Sequence, residues 1–379
     1  PRSTLFPYTT LFRSNAPAFD GRDQARPGAR EALGLAADEI IFLFAGRLNF
    51  TGKCNPVPVY QALERLAGTR RIVCIEAGIY PNESMRAAVE AAQRALAPSV
   101  RFIWADGADD VQYAHAWNAA DIFISLSDNI QETFGLTPLE AMARGLPVVV
   151  SDWDGYKDTV RANVDGVRVP TITLPGGAGK SLIQRHALSN RSYDYFIGDV
   201  SMATVVDPDQ LYRAFEQLAD NPDLRRRMGE AGRKRARTDY DWPVILGRYA
   251  DLAAELAEIR AAALRDGVPQ ATVPPHRADP FHIFRAFPTT ELSGHWQVQA
   301  AADAAERLRA MMNITIAAYS FDQRHFPATL PNRLLAAVPP DGITVNALLA
   351  NTGLATGLGA QTLMWLWKFD IVKVTPMPA

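Results

Sequence analysis

The sequence has little of what would tie a protein to an oxidising compartment, a nucleic acid or a lipid bilayer. Its two cysteines, Cys54 and Cys74, stand in no metal-type or C-x-x-C spacing, which excludes a disulfide framework and points to reduced thiols in a cytoplasmic protein. Lys and Arg number 39 against 41 Asp and Glu, a net charge of -2, so no global field draws the chain to phosphate backbones or anionic membranes. The longest apolar runs, such as 40–45 and 146–150, fall far short of the ~20 residues that span a bilayer. No repeat of solenoid period is found. What remains is a chain of 379 residues, 48% hydrophobic and 21% charged, with the proportions of a soluble globular protein and length for about two domains.

Residues 1–14 (PRSTLFPYTTLFRS) fit neither a signal peptide nor the pattern that follows, and are read as an artefactual leader outside the fold. Beyond them, short β-rich apolar runs at 40–45, 71–76, 100–104, 121–126, 147–151 and 166–169 alternate with helical spacing at 56–67, 83–96, 109–119, 138–144 and 156–162. That alternation predicts an α/β fold, a doubly wound parallel sheet of Rossmann-like type spanning residues 15–266. Residues 170–199, rich in Pro, Gly, Ser and Asn, read as a surface insertion able to act as a lid. Helices are expected from Asp207 to about Arg265, and the last, with Trp242, Leu246, Tyr249, Leu252 and Leu256 at helical spacing, reads as an ordinary packing helix.

A linker at 267–280 then leads to a small, mainly α module at 281–379. There, residues 343–374 read as helix, Gly-containing turn, helix and strand, a winged-helix-like pattern. The module carries seven Lys/Arg against six Asp/Glu, which argues for packing or protein contact rather than nucleic-acid binding.

The sharpest chemical signal is Glu132-Thr-Phe-Gly-Leu-Thr-Pro-Leu-Glu140, placed after a strand and opening a helix. In an open parallel sheet that junction faces the ligand crevice. The free N–H groups and dipole of the helix start favour an anion there, and Gly135 admits a phosphate close to the backbone of Leu136 and Thr137. Taken alone, Thr137 to Glu140 is also a capping box with Pro138 at the first helical position. A second carboxylate, Glu132, on the same loop tips the reading towards sugar hydroxyls on either side of a diphosphate. Gly46-Arg47 and Lys53 follow the first strand, a planar fork and a mobile cation suited to a departing diphosphate.

These residues resemble the Glu, seven residues, Glu signature of group 1 (family 4) retaining glycosyltransferases of the GT-B fold, over about residues 38–265. The resemblance implies the C-terminal, donor-binding half of such an enzyme. Glu132 would lie by the donor sugar, Gly135 to Thr137 by the diphosphate and Glu140 by the ribose, while Arg47 and Lys53, with Glu132, would form the catalytic set. Cys54 stands where the family commonly has Gly. Asp106 would lie by the base and Gly155 by the donor. A UDP- or GDP-sugar is the implied substrate, with no metal or other cofactor and an unidentified acceptor. The family's N-terminal acceptor domain is expected to be missing, so that this chain alone transfers little or no sugar.

Two further motifs carry less. The run 176–181 (GGAGKS) lacks the first glycine of a P-loop and does not join a strand to a helix. The cationic run 225–237 reads as a solvated helix face, with peripheral membrane contact as its functional counterpart. The alternative to an enzyme is a regulatory module that senses a nucleotide sugar and contacts a partner through its tail.

Overall fold

The structure is a computed structural model, which describes residues 21–189, 191–267, 279–322 and 326–376. The expected leader at 1–14 and most of the linker at 267–280 lie outside the described residues.

Six strands, β1 (Ile40–Ala45), β2 (Ile72–Gly78), β3 (Arg101–Asp106), β4 (Ile122–Ser125), β5 (Val148–Ser151) and β6 (Gly166–Val169), form one sheet in the order β3-β2-β1-β4-β5-β6. All its pairings are parallel. The cause is visible in the alternation along each strand. Phe42, Cys74, Ile122 and Val149 enter one apolar cluster, whereas Ile41, Leu43, Val73, Phe123 and Val148 enter a second. A strand that buries both faces must be covered on both, which is why α1 (Arg22–Ala32), α2 (Val57–Ala67), α3 (Glu83–Leu96), α4 (Asp110–Ala119), α5 (Leu136–Ala143) and the short α6 (Tyr156–Thr159) surround the sheet. Side-chain caps start two of them: Asn82 accepts from the Met85 N–H, and Asp109 from those of Val111 and Gln112. Strand order reverses between β1 and β4, so the crevice beyond their carboxyl ends is the natural ligand position.

The segment expected as a surface insertion is part of the body. It holds β7 (Thr171–Thr173), α7 (Lys180–Leu188) and most of α8 (Tyr193–Ser201), with all of β7 and residues 196–201 buried. Next come β8 (Thr204–Val206), α9 (Pro208–Asp220), α10 (Pro222–Asp239) and α11 (Trp242–Arg265). The expectation that α11 packs is not met, since none of its residues is buried.

The C-terminal segment comprises α12 (Pro280–Ile283), β9 (Thr290–Glu291), β10 (Gln297–Ala300), α13 (Ala304–Met312), α14 (Thr315–Ala318), α15 (Leu330–Ala336), β11 (Ile343–Thr344), α16 (Val345–Thr352), α17 (Thr356–Lys368) and β12 (Val372–Thr375). Strand β9 pairs with β7, and Trp365, Phe369 and Val372 join the same apolar cluster as Phe42, Leu126 and Trp153. The helix, left-handed Gly353 turn, helix and strand are present as read. The second helix, which would have to be open to read a groove, is instead buried at every residue from Gly359 to Lys368.

Candidate functional site

At the carboxyl end of β1 the chain enters Gly46, whose carbonyl occupies the space a side chain on Gly78 would need. Only glycine at 78 lets the ends of β1 and β2 approach in this way. The Asn49 side chain then accepts hydrogen bonds from Thr51 N (3.0 Å), Thr51 Oγ1 (2.8 Å) and Gly52 N (2.9 Å), folding the loop back so that Lys53 faces β4. There the Lys53 ammonium pairs with Glu132 Oε2. The same oxygen accepts from the Tyr156 hydroxyl at 3.1 Å, and Tyr156 in turn lies 2.7 Å from Ser125 Oγ at the end of β4. Desolvation, with the Glu132 charge beside it, holds the Tyr156 hydroxyl well above its ordinary pKa, so it stays a donor.

The turn after Glu132 is shaped by two glycines. Gly135 has φ of 77°, and a Cβ on it would overlap the Tyr156 ring; a Cβ on Gly155 would meet the Thr133 carbonyl and the Phe134 backbone. The turn therefore lies flat on residues 155 and 156. Helix α5 begins directly after it with Gly135 as N-cap and no side-chain cap hydrogen bond. This corrects the capping-box expectation: Thr137 is inside the helix, its buried Oγ1 has no partner, and the cap position has no side chain to satisfy the first N–H groups. Thr133, Phe134 and Leu136 are exposed around this bare helix start. One turn further, Glu140 is buried, and desolvation pushes its carboxyl up to about 7, with Arg144 opposing the shift.

The structure thus brings Gly46, Lys53, Glu132, Gly135, Leu136, Thr137, Glu140 and Gly155 to one end of the sheet. Among the described residues, the side chains of Arg47 and Asp106 make no hydrogen bond or ion pair with that cluster. Arg47 is exposed and donates to the Gly52 carbonyl at 3.4 Å, beside a pocket that Tyr80 and Glu76 also line. Asp106 ends the edge strand β3 and accepts from the Ala108 N–H at 2.9 Å. Sequence reasoning missed Tyr156 and Ser125, whose roles depend on a contact between successive strand ends and leave no local pattern. It also missed Glu76, a buried carboxyl on β2 raised by desolvation and held by Tyr60, by Tyr80 at 3.1 Å and by Gln93 at 3.0 Å. Among the described residues, no group of three or more His, Cys, Asp or Glu side chains is placed to hold a metal ion. No helix of the described residues is long and apolar enough to cross a membrane.

The doubly wound parallel sheet thus carries a cation, two carboxylates and an uncapped helix start near its switch point, the place where open α/β sheets take up polar ligands. Residues 26–172, which carry that site, match the family described as "Glycosyl transferases group 1". The chain is similar to a D-inositol 3-phosphate glycosyltransferase of Saccharomonospora viridis, 32% identical over 166 residues that cover 40% of this chain and 36% of the relative. Its counterpart in Streptomyces griseus is 29% identical over 259 residues, covering 64% of this chain and 47% of the relative. The chain therefore spans less than half the length of these relatives. Among solved structures it is similar to a sucrose-phosphate synthase from Thermosynechococcus elongatus, at 24% identity and a TM-score of 0.43 over 61% of this chain and 49% of the other. A glycosyltransferase from Rickettsia africae gives 16% identity and a TM-score of 0.46 over 64% and 55%.

Proposed function

We propose that this chain holds the donor site of a retaining glycosyltransferase, which binds a nucleoside diphosphate sugar and passes the sugar to a hydroxyl acceptor. The observation that carries the reading is the Lys53–Glu132 pair set beside the uncapped start of α5, across the strand-order switch between β1 and β4. A diphosphate over Gly135, Leu136 and Thr137 would take up the first helical N–H groups and the unpartnered Thr137 hydroxyl. The Lys53 ammonium has three hydrogens and spends one on Glu132, so it can reach a phosphate oxygen without leaving the carboxylate. Glu132, held by Lys53 and Tyr156, presents acceptor oxygens to sugar hydroxyls. Glu140 and Asp106 would meet the ribose and the base, and Arg47 would close over the phosphates from its exposed position.

In the reaction the bond between the anomeric carbon and the diphosphate oxygen breaks, and the acceptor oxygen bonds to that carbon on the face just vacated. The acceptor proton leaves with a phosphate oxygen. The charge that grows on the diphosphate is met by Lys53 and the helix dipole, in place beforehand, and by Arg47 once it has closed over the phosphates. Glu132 then acts by hydrogen bonding and needs no covalent intermediate.

Titration calorimetry with UDP, GDP and ADP tests the reading. One nucleotide should bind preferentially, and Lys53→Ala should weaken it by about 10- to 100-fold, the range for losing hydrogen bonds to a charged group. Arg47→Ala should cost less, since its side chain reaches in from solvent. Equal binding of all three nucleotides, or a Lys53→Ala variant that binds like the parent, would overturn the proposal.

A further inference from the structure

We infer that Lys368, at the end of α17, is a positioning residue for the donor site: by holding Asp128 it sets the loop on which Glu132 meets Lys53. The inference rests on the donor reading above and adds to it the C-terminal segment as a working part of the site.

Asp128 is buried in the loop between β4 and α5, four residues before Glu132. One of its carboxylate oxygens accepts from Ser201 Oγ at 2.6 Å, and the other is paired with the Lys368 ammonium. Lys368 also donates to the carbonyls of Ser201 (2.8 Å) and Thr204 (2.9 Å), so all three of its ammonium hydrogens are used. It is 1% exposed. The residues on either side of Asp128 act directly on the cation loop. Ser127 Oγ donates to the Lys53 carbonyl at 3.2 Å, and Asn129 Nδ2 to the Thr51 carbonyl at 2.8 Å. Any shift of Asp128 is therefore passed to both members of the Lys53–Glu132 pair.

A buried ion pair adds little net stability over well-packed apolar residues of the same volume, so its contribution here is location: the carboxylate has one place where its charge is met. A second contact from the same segment steadies the opposite wall of the site. The Asp154 N–H donates to the Phe287 carbonyl at 3.1 Å, and Lys157 Nζ to the Ala286 carbonyl at 3.0 Å, next to the Gly155 and Tyr156 surface on which the Gly135 turn rests.

The test compares the parent with the charge-free pair Asp128→Asn/Lys368→Met and with Ser201→Ala, reading amide hydrogen exchange and calorimetric affinity for UDP and GDP. Lys368→Met alone would strand a buried carboxylate, so the pair is the main variant and Ser201→Ala the mild one. Expected is exchange at 127–135 faster by roughly tenfold or more in the pair, little change in β1 and β2, and nucleotide affinity weaker by about tenfold. A merely structural role would raise exchange evenly across the sheet, and that result overturns the inference. So does a folded pair variant with parental exchange and affinity. If the parent binds no nucleotide, the donor reading fails, and loosening confined to 127–135 still decides for or against the positioning role. If the pair does not fold, Ser201→Ala decides by the same criterion: loosening limited to that loop supports the inference, and parental exchange overturns it.

Discussion

Helices α17 and α11 are both rich in large apolar side chains, yet they have opposite fates. From Gly359 to Lys368 every residue of α17 is buried, charged Lys368 included, whereas α11 has no buried residue along its 24 positions. A stripe of apolar residues at helical spacing says that a helix has a face to cover; it does not say what covers it. For α17 the cover comes from two sides: α15, α16 and β12 of its own segment, and β8 and α7 of the α/β body, which also holds a buried carboxylate and two backbone carbonyls for its terminal lysine. The segment that reads from sequence as an appendage is thus built into the body, and the helix that reads as routine packing stands outside it.

The largest effect should come from α17. Trp365 is fully buried, donates to the Ala317 carbonyl at 2.8 Å and meets Phe321 and Phe369 edge-on, at ring distances of 5.0 and 5.1 Å. Trp365→Ala is expected to cost about 3–5 kcal/mol in urea unfolding, through lost burial and the cavity left behind. The unfolding should remain one transition, with the sheet lost together with the tail. Separate transitions for the tail and the sheet would break the contrast, because α17 would then belong to an independent module.

Between the two helices in expected effect lies α5, which buries the Glu140 carboxyl, with the Arg144 charge acting against its desolvation. Burial raises the Glu140 carboxyl to about 7, well above its unfolded value near ~4.3. Between those pH values the folded protein keeps a proton that the unfolded chain has released, so stability should fall as pH rises across that window. Above about pH 7 the carboxyl is ionised in both states and the loss is complete. Melting curves from pH 5 to 8 should therefore show parent stability dropping relative to Glu140→Gln by on the order of 1–3 kcal/mol. A parallel pH dependence in the two proteins would mean that Glu140 is solvated like a surface group.

The six-stranded sheet was legible because strands buried on both faces are written as uninterrupted apolar runs, and β1 and β6 begin and end at the expected residues. The site was legible where one loop carries it, from Glu132 to Glu140. Strands as short as β7 and β8, three residues each, leave no period to read, and the Pro and Gly cluster after Leu174 made their surroundings resemble a surface loop. The pairing of Lys368 with Asp128, across 240 positions, has no local signature at all. Nor could the capping residues of α5 be assigned correctly, because Thr137-Pro138 has the right residue types two positions late and only the left-handed Gly135 shows where the helix starts.

The smallest effect belongs to α11. Leu252 and Leu256 are 45% and 53% exposed, so a change there removes little area from a packed interface. Leu256→Gln should alter unfolding free energy by no more than about 0.5 kcal/mol and the melting temperature by roughly 1–2 °C. Glutamine keeps the helix propensity of leucine closely enough that any larger loss has to come from a contact. A cost comparable to that of Trp365→Ala would show this face covered in solution, and α11 would then be a second α17 rather than its opposite.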